Sequence, residues 1–298
     1  MAAHTESVEP GAKTGLRQLG LVVHPSRPVD EALREIEAWS SAHGVAVGEL
    51  SVPERTRPVA DPIDASDCDL LLGVGGDGTA LSALHAGAES SRPVLGVACG
   101  SLGVLTLVRA ERVKSALEQF AEGQWSPVAV PGLEVSWGDD ETRVAINDIV
   151  VIRDDPGQIV LSVTVDETLY ARFAGDGVIV ATALGSSAYT MAVGGPILAP
   201  GAEGMTLTPV APHGGSIPPL VAGDSSVLSV SVEAGHVGVR YELDGRRLAD
   251  AGPLLTVRHR PTYATFVRLA EDEPRLAGLR RRRLVLDSPR LDARRNQS

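Results

Sequence analysis

The sequence predicts a chain of two parts, a parallel α/β domain followed by a β-rich domain. Three observations carry this expectation. Up to about residue 127, uninterrupted apolar runs alternate with runs of helical spacing, the pattern of a parallel sheet with helices on its faces. Beyond it, short β-rich runs are separated by turn residues, and helical stretches are few. The chain has 298 residues, 43 % of them apolar, which is enough for two cores. Only 3 % are aromatic, so the cores must be built from Val, Leu, Ile and Ala.

In order, residues 1–15 read as a disordered polar tail. "LGLVVHP" reads as a first buried strand. A helix follows in "VDEALREIEAWSSAHG", with Val29, Leu33, Ile36 and Trp39 or Ser40 at helical spacing and Gly44 as its stop. "VAVGEL" is a second strand. "DLLLGV" is a third, apolar throughout, as a strand covered on both faces should be. "TALSALHAGAE" is its helix, "PVLGVA" the next strand and "RVKSALEQFAEG" another helix. The second part offers "LEVSW", "TRVAINDIVVIR", "QIVLSVTVDE", "GVIVATA", "SVLSVSVEA", "HVGVRYELDG" and "LLTVRHR" as strand runs, mainly antiparallel. The expected domains are 16–127, and 128–264 for the β-rich part. The basic end, "RLAGLRRRRLVLDSPRLDARRNQS", reads as a solvated terminal segment.

Composition narrows the function. A formal charge of −11 argues against a nucleic-acid surface, because phosphate backbones need a basic face. It leaves small phosphorylated ligands open, since loops hold those locally. Lys13 and Lys114 are the only lysines, and neither stands in a Walker loop or a Schiff-base setting. Cys68 and Cys99 fit no metal spacing and no disulfide framework, so two reduced, buried thiols are expected. The N-terminus has no apolar segment of a secretory signal, and no run approaches 18 apolar residues. A cytoplasmic protein with no membrane partner is the expectation.

The segment "LLLGVGGDGTALSALHAG", residues 70–87, is the most informative. Gly73, Gly75 and Gly78 satisfy G-x-G-x-x-G after a strand. A plain Rossmann dinucleotide site also wants an acid near the end of the next strand, and "GVACGS" has none. Another reading fits better. Gly75 and Gly76 allow a tight turn of positive φ, and their bare N–H groups can bond phosphate oxygens. A helix beginning near Thr79 would point its positive end the same way. Asp77 would then project into a site for an anionic ligand. Beside a sugar hydroxyl it could take the proton as a phosphoryl group arrives, or it could help hold a magnesium ion. The competing structural reading is a helix N-cap. The second glycine-rich segment, "AGDGVIVATALGSSAYTMAVGGPILAP" at 174–200, is not a hydrolase nucleophile elbow, because Tyr189 stands where G-x-S-x-G needs glycine. Tyr189 can stack on a flat base, with Ser186 and Ser187 bonding the ring or a phosphate. The competing reading is an ordinary turn with a core tyrosine.

Taken together, these stretches resemble the NAD kinase family. "GGDGT" at 75–79 looks like its signature loop, with Gly75, Gly76, Gly78 and Thr79 around Asp77. "NDIVVIR" at 147–153 is similar to its Asn-Glu strand. "GDGVIVATALGSSAYTMAVGGPILAP" looks like its ADG…STPTGSTAY…GGPI segment. "TPVAPHGGSIPPLV" at 208–221 and "LDG" at 243–245 complete the order. GGDG alone also occurs in sphingosine and diacylglycerol kinases and in phosphofructokinases; five motifs in register are specific. The resemblance implies a Rossmann-like α/β domain and a β-sandwich-like domain, with the chain end, about 265–298, returning to the first. It implies transfer of the ATP γ-phosphate to the 2′-hydroxyl of the adenosine ribose of NAD, with Mg2+ carried by ATP and no metal ligands from the protein. Asp77 would be the base or charge partner at that hydroxyl. Asn147 and Asp148 would sit on a ribose, and Asp176 near the nicotinamide amide. Ser187, Ala188 and Tyr189 would line the adenine pocket. A homodimer or homotetramer is implied as well.

The sequence also departs from the family pattern. Asp148 replaces Glu, Ala98 an Asn and Val104 a Phe. Ala181, Ala183 and Leu184 replace polar or proline positions, and Pro218-Pro219 stands for Arg-Pro. Sites built to bond a substrate group discriminate by up to roughly 10⁴-fold, so such losses point to changed or relaxed recognition. Two alternatives therefore stand beside NAD phosphorylation: a kinase of another nucleoside or nucleotide, and a non-catalytic NAD or ATP sensor.

Overall fold

The structure, a computed structural model, describes residues 15–52, 57–138, 141–233, 235–249 and 251–287. The tail expected over 1–15 lies, up to residue 14, outside the described residues, as does the end of the basic segment from 288. The chain divides into two compact units. One is formed by the chain up to Val128 and from Thr265 onward, the other by Ala129–Ala264.

The first unit alternates strand and helix. Its elements are β1 (Gln18–Val23), α1 (Asp30–His43), β2 (Ala46–Leu50), β3 (Pro62–Ile63), β4 (Leu70–Gly75), α2 (Asp77–Ser90), β5 (Pro93–Ala98), β6 (Val108–Arg109) and α3 (Val113–Ala121). The strands pair in parallel in the order β3-β2-β1-β4-β5, with β6 beside β5. All six residues of β4 are buried, as a strand covered on both faces must be. Gly44 ends α1 at φ 66°, the left-handed cap that glycine favours. Gly73 lets α2 lie close on β4, since a Cβ there would come 2.6 Å from Ala80 Cα. Leu19, Ile36, Trp39, Leu70, Leu72, Leu117, Phe120 and Val267 share one core. From β1 the chain adds strands on one side and then, with β4 and β5, on the other. The order therefore reverses between β1 and β4, the place where open α/β sheets leave a crevice at the carboxyl ends of their strands.

The second unit is antiparallel. It contains β7 (Trp125–Trp137), β8 (Glu141–Ala145), β9 (Asp148–Arg153), β10 (Ile159–Val165), β11 (Thr168–Gly175), β12 (Gly177–Thr182), a short helix α4 (Tyr189–Ala192), β13 (Met205–Val210), β14 (Leu220–Ala222), β15 (Val227–Glu233), β16 (Val239–Leu243), β17 (Arg246–Leu248) and the start of β18 (Leu254–Leu269). One sheet runs β11-β10-β15-β18 with β7 and β8; the other runs β14-β13-β12-β9-β16-β17. Burial alternates along β10 and β15, so each turns one face inward. Leu161, Val163, Leu228, Val230 and Leu255 from one sheet meet Ile149, Val151, Val178, Val180 and Leu207 from the other in a single core. Face-to-face packing of two antiparallel sheets makes this unit a sandwich.

Three expectations are corrected. The run "TRVAINDIVVIR" is two strands, β8 and β9, broken at Ile146 and Asn147. Helix α2 starts at Asp77, two residues before Thr79. Part of the basic end folds as α5 (Arg275–Arg281), where Leu279 is buried.

Candidate active site

In the first unit the turn from β4 into α2 is a single residue, Gly76. Its φ is −134°, so it does not use the positive φ expected there, whereas Gly75, at φ 159°, does. Both glycines are required by room as well. A Cβ on Gly75 would come 2.6 Å from Thr79 Oγ1 and 2.8 Å from His24 Cβ. One on Gly76 would come 2.8 Å from Arg27 Nη1. The Thr79 N–H donates to the Gly76 carbonyl at 2.8 Å, and Thr79 is fully buried, while Gly78 is exposed. This leaves bare backbone at the positive end of a 14-residue helix, a favourable place for anionic oxygens.

Asp77 does not cap its own helix. Its carboxylate reaches the segment after β5 instead. Oδ2 accepts the Val104 N–H at 2.8 Å. Oδ1 accepts the N–H groups of Leu105 and Thr106, at 3.0 and 3.1 Å, and the Thr106 hydroxyl at 3.1 Å. The Thr106 Oγ1 in turn accepts the Gly103 N–H at 3.1 Å. A side chain on Gly103 would overlap the Asp77 carboxylate. Asp77 is therefore fixed in direction and half-buried, with Oδ2 the less engaged of its two oxygens. Val104 contributes through its backbone, so this contact tolerates the exchange of a Phe for Val.

In the second unit the break between β8 and β9 is organised by Asp244. That residue lies in the two-residue turn Asp244-Gly245, φ 51° and 75°, which joins β16 to β17 as tight hairpins prefer. Its carboxylate accepts the N–H groups of Ile146, Asn147 and Asp148 at 2.8, 2.6 and 3.2 Å. The Asn147 carbonyl accepts the Thr182 N–H at 2.9 Å, and a Cβ on Gly185 would overlap it. The Asn147-Asp148 turn and the 182–185 turn are thus brought together. Asp148 is 5 % exposed, and no hydrogen bond reaches its carboxyl among the described residues. Burial first, then the carboxylates of Asp244 and Glu242, push that carboxyl up to about 7.

Asp176 is held by Arg153, whose Nε lies 2.7 Å from Oδ1. The Ser186 hydroxyl has internal partners: it donates to the Ala183 carbonyl at 2.7 Å and accepts the Leu198 N–H at 2.9 Å. Ser186 is fully buried and ties its loop to the "GGPI" segment. The Ser187 hydroxyl donates to the Leu184 carbonyl at 3.1 Å. Ala188 and Tyr189 are exposed. Sequence reasoning missed Gly103, Thr106, Arg153 and the role of Asp244. Asp244 was visible only in the late Asp-Gly of the family pattern, and Thr106 carried no signal of its own. Among the described residues, no group of three or more His, Cys, Asp or Glu side chains is placed to hold a metal ion, and no helix is long and apolar enough to cross a membrane.

Comparison with known proteins matches these two parts to two family models. Residues 16–125 match the ATP-NAD kinase N-terminal domain and residues 146–269 the ATP-NAD kinase C-terminal domain. An NAD kinase of Chloroflexus aggregans is 35 % identical over 243 residues, covering 79 % of this chain and 87 % of its own. An NAD kinase of Symbiobacterium thermophilum is 33 % identical over 267 residues, covering 84 % and 93 %. Among solved structures, an NAD kinase from Archaeoglobus fulgidus in complex with ATP superposes with a TM-score of 0.70 at 25 % identity, over 88 % of this chain and 96 % of that one. Yeast NADH kinase complexed with NADH shares the fold, with a TM-score of 0.76 at 22 % identity over 93 % and 90 %. With both halves matched in order and relatives above 30 % identity over most of its length, the chain belongs to the NAD kinase family.

Proposed function

We propose that the protein transfers the γ-phosphoryl group of ATP to the 2′-hydroxyl of the adenosine ribose of NAD, giving NADP and ADP. The observation that carries this reading is the fixed Asp77 carboxylate, beside the bare backbone that opens α2, in a chain of this family. The ribose oxygen attacks the γ-phosphorus, the bond from that phosphorus to the β,γ-bridging oxygen breaks, and ADP leaves. The hydroxyl proton passes to Asp77 Oδ2, the less engaged oxygen. The backbone N–H groups at the start of α2 hold phosphate oxygens. Mg2+ enters as part of the donor, as its MgATP complex.

Asn147 and Asp148 are proposed for a ribose, Asp176 for the nicotinamide amide, and Ser187, Ala188 and Tyr189 for the adenine. Ser186 is assigned to holding its loop, because its hydroxyl has two internal partners. Assembly as a homodimer or homotetramer belongs to the same reading, as the resemblance implies. The test is incubation with ATP, Mg2+ and NAD followed by enzymatic assay of NADP, with NADH, adenosine and other nucleosides as parallel acceptors read by mass spectrometry. NADP formation is expected. Phosphorylation of another nucleoside in its place would reassign the acceptor, and nucleotide binding with no product would leave a sensor.

A further inference from the structure

The turn after β1 carries a second feature of the same crevice. It leaves the sheet at Val23 and enters α1 at Asp30. Because β1 and β4 are neighbours, its residues face the Gly76 turn across the point where the strand order reverses. The turn is tied down. His24 donates its N–H to the Val74 carbonyl at 3.0 Å. His24 Nδ1 accepts the N–H groups of Ser26 and Arg27 at 3.2 and 3.1 Å. The Arg27 carbonyl accepts from Arg57 Nη1 at 2.9 Å. The backbone of Arg27 is thus fixed from two sides while its side chain is exposed.

That side chain lies over the glycine turn. The position of an absent Cβ on Gly76 is 2.8 Å from Arg27 Nη1, 3.2 Å from Cζ and 3.5 Å from Nη2. Arg57, which bonds the Arg27 carbonyl, pairs with Asp30; among the described residues no carboxylate is paired with Arg27 itself. A guanidinium without a carboxylate partner, held against bare backbone at the positive end of a helix, is a poor arrangement for stability. Like charges are brought together, and the one acid in the first turn of α2, Asp77, turns its carboxylate to the 103–106 segment. It suits a ligand of high negative charge whose oxygens accept from the fork and the backbone together.

We propose that Arg27 binds the phosphate chain of the donor, its guanidinium donating beside the Gly75–Gly78 backbone. The recognised chemistry is a linear polyphosphate, which a nucleoside triphosphate and inorganic polyphosphate share. The proposal rests on the donor site put forward above, and its test separates the two.

The experiment compares wild type with Arg27→Ala and Arg27→Lys. Initial rates are taken with ATP and, separately, with inorganic polyphosphate as donor and NAD as acceptor. Calorimetry measures binding of tripolyphosphate and of adenosine. In Arg27→Ala the KM for the active donor is expected to rise about tenfold or more, with the KM for NAD within about twofold, as loss of a charge-assisted bond to one substrate requires. Tripolyphosphate affinity should fall by a similar factor and adenosine affinity should stay. Arg27→Lys should recover part of the loss, since it restores charge without the fork. The donor that supports turnover tells triphosphate from polyphosphate. An unchanged donor KM, unchanged tripolyphosphate affinity or an equal loss of adenosine binding overturns the assignment. If wild type forms no NADP from either donor, the parent reading fails, and the tripolyphosphate measurement alone decides on Arg27: binding lost in Arg27→Ala supports it, and no binding by wild type refutes it.

Discussion

A carboxylate that receives three backbone N–H groups and a hydroxyl cannot become a carboxamide without consequence. In Asp77→Asn the new NH2 group must meet a donor at either oxygen's place, Val104 N–H at one and Leu105 or Thr106 N–H at the other. The variant also has no group to take the ribose proton. Its kcat is expected to fall about 10²–10⁴-fold, as loss of general-base action does, while nucleotide affinity measured by calorimetry changes far less. Turnover near wild type would remove Asp77 from the chemistry. Gly103→Ala probes the same group from the other side, because its Cβ would overlap the carboxylate. Overpacking of this kind costs about 1–3 kcal/mol, so a lower melting temperature should accompany loss of NADP formation. Asp77 was legible in the sequence because three glycines and the end of a buried strand surround it within a few residues. Its partners were not, since Val104 and Thr106 lie 27 and 29 positions away and only the fold brings them near.

Asp148 shows how two turns together shape one group. The β16–β17 turn delivers the Asp244 carboxylate to the β8–β9 break, where three N–H groups bond it and the buried Asp148 carboxyl is left without a hydrogen bond among the described residues. The Asp148 carboxyl stands at about 7 in the folded protein against 3.8 when free. Between those values the folded state holds a proton that the unfolded chain has released. Stability from this group is therefore full below about 3.8, falls as pH rises through that window, and levels off above about 7. Asp148→Asn removes the slope. The variant should gain melting temperature over wild type at pH 8, by about 2 °C or more, and show less gain at pH 5. An equal difference at both pH values would refute the shift. Legibility differed among the elements for physical reasons too. The strands β1, β4 and β5 are buried on both faces and read as apolar runs. The strands β11, β14 and β17 lie at sheet edges with few buried residues, so no alternation marks them. The inner strand β13 is buried but contains Pro209, which lowers the strand signal of its run.

Across the chain, 38 acidic residues against 27 basic ones leave a charge of −11, yet among the described residues the acids are not gathered into a cation cage. Asp148 apart, several of those at the candidate sites are already engaged. Asp77 and Asp244 are bonded by backbone N–H groups and Asp176 by Arg153; outside those sites, Asp154 pairs with Arg240 and Arg247. Among the described residues no cluster of three ligands forms. The proposed function brings the divalent ion in with the phosphates, whose oxygens it prefers, and makes no demand on the fold. Folding and turnover should consequently respond differently to chelation. Excess EDTA is expected to shift the melting temperature by less than about 1 °C, because on that reading chelation removes nothing that binds the native state alone. The same treatment should stop NADP formation, and added Mg2+ should restore it at once, with no refolding lag. A fall of several degrees on chelation would show that the native chain itself holds a metal. The ion would then have to be assigned to the protein and no longer to its substrate.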